Sequence, residues 1–138
     1  MTMQKWASLI VTAGVVAGSL GITQEARAQA SARVFELRTY TSHEGKLDDV
    51  VARFRNHTTK LFEKHGMTNV GYWVPREQQN TLVYMLAHPS RDAATKNWDA
   101  FRKDPDWIAA RAASEANGPL VAKVQSVFMD PTNFSGMK

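Results

Sequence analysis

The sequence predicts an α+β domain in the order β-α-β-β-α-β, with one extra short helix before the last strand. Three observations carry this. Apolar residues recur at steps of three and four from Leu47 to Phe62, and Gly66 then stands where a helix commonly ends in a left-handed residue. Two runs rich in Val, Tyr, Trp and Leu, VGYWV (70–74) and TLVYMLAH (81–88), flank a polar REQQN (76–80) and read as a hairpin. A second helical segment and a last alternating strand, Leu120 to Met129, complete the plan.

Residues 1–30 read as a secretory signal. Lys5 gives the positive start, Ala7 to Ile22 a nearly continuous apolar run, and Ala26-Arg27-Ala28 and Ala28-Gln29-Ala30 two overlapping small-x-small cleavage sites. The run is short for a membrane span of about 20 residues, so no stable span is expected once the signal is removed. The expected location is the periplasm or the exterior, and residues 31–138 form the working domain. Cleavage after Ala28 removes Lys5, Glu25 and Arg27, leaving 15 basic and 12 acidic residues.

The domain starts with RVFELRTYT (33–41), in which Val34, Glu36, Arg38 and Tyr40 alternate with Phe35, Leu37 and Thr39. This is a strand with one mixed and one apolar face. The first helix, roughly 46–65, carries Leu47, Val50, Val51, Phe54, Leu61 and Phe62 as its stripe. At about 100° per residue, Arg53, Arg55, Lys60, Glu63 and Lys64 fall outside it, and His57 on its flank. The second strand spans about 67–74, with Pro75 closing it because proline cannot donate to a ladder. After strand three, Ser90 is placed to cap a second helix whose buried side is Ala94, Trp98 and Phe101. Asp104-Pro105 restarts the chain as a third, short helix, and Asn117-Gly118-Pro119 ends it.

A chain of 138 residues suits one domain with a real core, and its net charge of +4 comes from interspersed charges. No basic run with interleaved aromatics points to nucleic acid. The absence of cysteine removes disulfides, thiol nucleophiles and cysteine metal sites. Strands two and three are apolar on both faces, whereas an antiparallel hairpin normally leaves one face polar. Helices in so small a chain cover one face, so the other is expected to meet a second subunit in a homodimer.

The element order is the ferredoxin-like plan. The pieces FELRTYT (35–41), EGKL (44–47), RFRNHTTKLFEKHGM (53–67), VGYWVP (70–75), LVYMLAH (82–88), AFRKDPDW (100–107) and DPTNF (130–134) together resemble the NIPSNAP family, whose domains belong to the dimeric α/β-barrel class. The resemblance implies two ferredoxin-like subunits joined sheet to sheet. Relatives in the wider class include cofactor-free monooxygenases and haem-binding enzymes, while NIPSNAP members have no settled reaction. Eukaryotic members are linked to mitochondria and vesicle traffic, and the secretory leader here departs from that pattern.

No GxSxG, P-loop, GxGxxG, paired-carboxylate or HExxH pattern appears, and neither a metal nor a cofactor is expected. Adjacent Asp48 and Asp49 point about 100° apart and read as surface charges. Of the histidines, His65 reads as a cation at a helix C-terminus, His88 as a cap of the following turn, and His57 as the candidate catalyst or a hydrogen-bonded boundary residue. Tyr72, Trp73, Tyr84, Trp98 and Trp107 either pack the core or line a cavity between helices and sheet. Arg38 either pairs with Glu36 or holds an anionic ligand. Haem-degrading relatives use a histidine on the second helix; here that helix offers Lys96 and Asn97, which weakens a haem reading. Two functions therefore stand: a binding domain for a small apolar or aromatic ligand, or a cofactor-independent monooxygenase or isomerase acting near His57, Tyr72 and Trp73.

Overall fold

The computed structural model describes residues 33–138; the expected signal segment, 1–30, and both its cleavage sites lie outside the described residues. Strand β1 (Val34–Ser42) leads into a first helix of three parts: α1 (Leu47–Arg53), a π-helical turn (Phe54–Thr58) and α2 (Thr59–Lys64). The hairpin β2 (Thr68–Trp73) and β3 (Thr81–His88) follows, then α3 (Arg91–Lys103), α4 (Pro105–Ser114) and β4 (Val121–Met129). The sheet order is β2-β3-β1-β4, with every pairing antiparallel. This is the ferredoxin-like arrangement, with α4 as the additional helix.

The local signals act as their chemistry dictates. Gly66 has φ +74° and its N–H reaches the Glu63 carbonyl at 3.0 Å, while the Met67 N–H reaches Phe62 O at 2.9 Å. These bonds satisfy the last carbonyls of α2 and turn the chain into β2. A Cβ at Gly66 would lie 3.1 Å from Asn97 Nδ2 as well as forcing a left-handed side chain. Gly66→Ala is therefore expected to lower stability by about 1–2 kcal/mol, read from the urea midpoint at unchanged slope; an unchanged midpoint would refute the cap. Ser90 Oγ accepts from Ala93 N at 3.0 Å to start α3, and the Asp104 carboxylate accepts from Asp106 N at 2.8 Å to start α4. Lys64 Nζ (2.8 Å) and His65 Nε2 (2.6 Å) also meet Asp104, tying the end of α2 to the start of α4. Lys64 first and His65 next hold that carboxyl well below the usual range.

The first helix corrects one expectation. Arg53, expected outside the apolar stripe, is buried. Its Nη1 donates to Ser114 Oγ at 3.2 Å and Glu115 Oε1 at 3.1 Å, and its guanidinium carbon lies 5.2 Å from the Trp107 ring centroid. A single stripe describes a helix with one partner, whereas this one packs on the sheet and on α4. The π turn takes part in that. The Thr59 N–H bonds to Phe54 O, and Thr58 Oγ1 donates to Arg53 O at 3.3 Å, so one extra residue is accommodated and Phe54 and Thr58 are both buried.

The core lies between the helices and one sheet face. Phe54, Phe62, Tyr84, Trp98 and Phe101 form its aromatic centre, with ring centroids 5.0–6.1 Å apart in mostly edge-to-face pairs. The register sets Arg38 opposite Tyr84 on β3 and Ser126 on β4. Since side chains alternate, the mixed face of β1 (Glu36, Arg38, Tyr40) is the face turned toward the helices. The opposite sheet face carries half-buried Leu37, Val83 and Met85, with Trp73 52% and Val127 55% exposed. The Trp73 ring lies against Gly71, where a Cβ would come within 2.5 Å of it.

Candidate functional site

The charged alternation of β1 produces a buried carboxylate at the inner sheet face. Glu36 is 1% exposed and accepts four side-chain hydrogen bonds. Arg38 Nη1 (2.7 Å) and Ser126 Oγ (2.6 Å) meet Oε1; His88 Nε2 (2.9 Å) and Trp98 Nε1 (2.7 Å) meet Oε2. A carboxylate only accepts, so Nε2 of His88 carries the proton of that bond. Burial pushes the Glu36 carboxyl up, but His88, Ser126, Trp98 and Arg38 outweigh it and lower it to about 2. The cluster joins β1, β3, β4 and α3. It also corrects the reading of His88, which is fully buried on Glu36 and does not cap a turn.

Glu36 in turn fixes Arg38. The guanidinium carbon lies 4.3 Å from the Trp98 ring centroid and 5.7 Å from that of Tyr40. Burial works against its charge, but Tyr84, Tyr40 and Glu36 raise its pKa further. Among the described residues Glu36 is its one side-chain partner, and its buried Nε has none.

Arg38 and Trp98 form the shared wall of two adjoining hollows. The first, about 280 Å³, opens between β1, the start of β4 and helices α3 and α4, with Tyr40, Phe101, Trp107 and Val124 in its lining. The second, about 270 Å³, continues toward Glu36, Arg91, Ser126 and Phe128, and both include Arg102. Arg91 is itself stacked 3.7 Å above the Phe128 ring. The arrangement suits a flat, partly polar molecule: rings for its faces, aliphatic contact from Val121 and Val124, and fixed N–H donors at the edge.

The residues singled out in the sequence are distributed as follows. Arg38 and Trp98 come together at this cleft, and Trp107 joins them. Tyr84 lies fully buried beneath, and burial holds its phenol well above the ordinary range. Tyr72 stacks on Tyr84 at 5.4 Å, gives its hydroxyl to Asn69, and is likewise raised by burial. Trp73 is on the opposite sheet face. His57 is exposed in the π turn and lines a separate hollow of about 250 Å³ with Asp49, Asn56 and Ser114; Arg53 lies between that hollow and the arginine-lined cleft. Ser126, Arg91, Arg102 and Arg111 were not picked out from the sequence, whereas Glu36 was named as a partner for Arg38 and takes that place at 2.7 Å. Glu36 and Arg38 stand two apart on a strand and so share a face, a usable signal. Ser126 and His88 reach them only through the strand pairing. Among the described residues no group of three side chains could hold a metal ion.

A four-stranded antiparallel sheet in this order, with helices on one face, defines the ferredoxin-like fold. Residues 35–136 match the NIPSNAP family, and the chain belongs to it. A NIPSNAP family protein of unknown function from Agrobacterium tumefaciens is similar at 20% identity and a TM-score of 0.68, covering 78% of this chain and 96% of that one. An uncharacterised NIPSNAP-like domain protein from Burkholderia xenovorans gives 15% and 0.67, covering 76% and 90%. SnoaB, a cofactor-independent oxygenase from Streptomyces nogalater, shares the fold at 16% identity and a TM-score of 0.55, covering 76% and 98%. No curated protein matches the chain.

Proposed function

We propose that this NIPSNAP domain is an exported homodimer that holds a small aromatic ligand in the cleft between α3, α4 and strands β1 and β4. The observation that carries the reading is Arg38, whose guanidinium carbon lies 4.3 Å from the Trp98 ring centroid and which Glu36 fixes in the wall of an aromatic hollow. A guanidinium positioned in advance loses less freedom on binding, which favours affinity. Pairing of two copies is supported by Leu37, Trp73, Val83, Met85 and Val127, which leave an apolar sheet face for a partner to cover. Export is supported by the signal pattern of residues 1–30.

The oxygenase or isomerase reading is less favoured. No histidine lines the cleft, and its carboxylates, Glu36 and Glu115, are both held by arginines. The haem reading meets the same lack of an imidazole.

Native mass spectrometry of the protein purified from its exporting host tests this reading. The expected species is a dimer of chains beginning at Gln29 or Ser31, carrying extra mass from a retained aromatic compound. A monomer would overturn the pairing, and a chain that keeps residues 1–28 would overturn export. A bare dimer whose tryptophan emission responds to no aromatic compound in a panel would overturn the binding role.

A further inference from the structure

We infer that the ligand of this cleft is an anion on a flat aromatic frame, of the aromatic carboxylate class; this rests on the cleft being the binding site. The two adjoining hollows are lined by five arginines, Arg38, Arg53, Arg91, Arg102 and Arg111, against two carboxylates, Glu36 and Glu115. Both carboxylates are already engaged. Glu36 accepts from Arg38, His88, Trp98 and Ser126; Glu115 accepts from Arg53 at 3.1 Å and from Arg111 at 3.1 Å. The positive surplus therefore has no further acid within the cleft to meet.

The donors left over are of the kind an anion needs. The Nε atoms of Arg38 and Arg53 are buried behind the wall, so the donors open to a ligand are those of the exposed Arg102 and Arg111. Arg102 is tied only to Asp99, at 2.6 Å, and both side chains are more than half exposed. Such a surface pair is weak, so an incoming carboxylate displaces it at little cost. Guanidinium forks match a planar carboxylate with two parallel hydrogen bonds. Trp98, Trp107 and Tyr40 supply faces for a ring, and Val121 and Val124 supply apolar contact. At about 280 Å³ the main hollow sits at the lower end of small-molecule clefts, roughly 300 Å³ and up, which points to one or two fused rings. An aliphatic anion would leave the rings unused, and a neutral aromatic would leave the arginine surplus unmatched.

The test compares 1-naphthoate with 1-naphthamide, of nearly the same shape without the charge, by quenching of tryptophan emission in the mature protein. The Trp73→Phe background removes the ring on the opposite sheet face from the signal. Naphthoate is expected to bind at least tenfold tighter than naphthamide, and to weaken as salt is raised. The double variant Arg102→Gln, Arg111→Gln is expected to abolish that preference while melting as the parent does. Both side chains are about 60% exposed (60% and 61%), so its fold does not depend on them. Equal binding of the two compounds would overturn the anion inference and leave the cleft as a binding site. A preference that survives the double variant would also overturn it, by placing the anion elsewhere. Binding of neither compound would overturn the inference and the binding role together.

Discussion

Replacing Glu36 with alanine is expected to lower folding stability by about 3–5 kcal/mol, the usual cost of removing one member of a buried charge cluster. Arg38, His88, Trp98 and Ser126 would keep their donors at the site with the common acceptor gone. Small domains have only about 5–15 kcal/mol in total, so such a variant would sit near the threshold of folding. Glu36→Gln keeps the shape and one acceptor oxygen, but its amide must face donors on one side. Its expected cost is smaller, about 1–3 kcal/mol. The same residue sets an acid limb. Its carboxyl titrates near 2 in the folded chain, below the ordinary 4.5, so its contribution is fully present above about pH 5 and is lost as pH falls toward 2. A shift of that size corresponds to about 3 kcal/mol at neutral pH. Urea midpoints from pH 7 down to pH 2 should fall for the parent and fall less steeply for Glu36→Gln. Parallel curves for the two proteins would remove Glu36 from the acid response.

Phe62→Ala is expected to cost about 3–5 kcal/mol and to lower the melting temperature by roughly 15 °C or more. Phe62 is 1% exposed and touches every layer of the core. Its ring lies 6.1 Å from Phe54 in the π turn, 6.0 Å from Tyr84 on β3, and 5.3 and 5.0 Å from Trp98 and Phe101 on α3. No neighbour can fill the void without leaving another contact, because rings move as rigid bodies. Phe62→Leu keeps most of the volume and is expected to lose under about 1.5 kcal/mol. A loss below about 1 kcal/mol for the alanine variant would mean that the core collapses around the gap, contrary to the packing described.

These two residues differ in how far the sequence announces them. Phe62 follows from spacing alone, as part of the stripe from Leu47 onward. Trp98 and Phe101 are found the same way, and Gly66, Ser90 and Asp104 declare the helix ends by side-chain chemistry. Strand β3 runs from Thr81 to His88 as its composition indicates. Glu36 is harder to place. A glutamate on a strand reads as the wet side, yet the face bearing Glu36 and Arg38 is the one beneath the helices. Its burial depends on donors from three other elements, and no local pattern records them. Arg53 was misplaced for a related reason: the stripe rule assumes one packing partner, and α4 adds a second.

The sequence by itself determined the order of elements, their caps and the aromatic centre of the core. Those depend on residues within a few positions of each other, through helical period, strand alternation and turn chemistry. Only the tertiary structure decided which sheet face is covered, that His88 and Ser126 converge on Glu36, and that five arginines surround one aromatic cleft. Those outcomes follow from strand register and helix docking, which bring together residues as far apart as Glu36 and Ser126. A charge is inexpensive there only when partners from distant parts of the chain arrive with it.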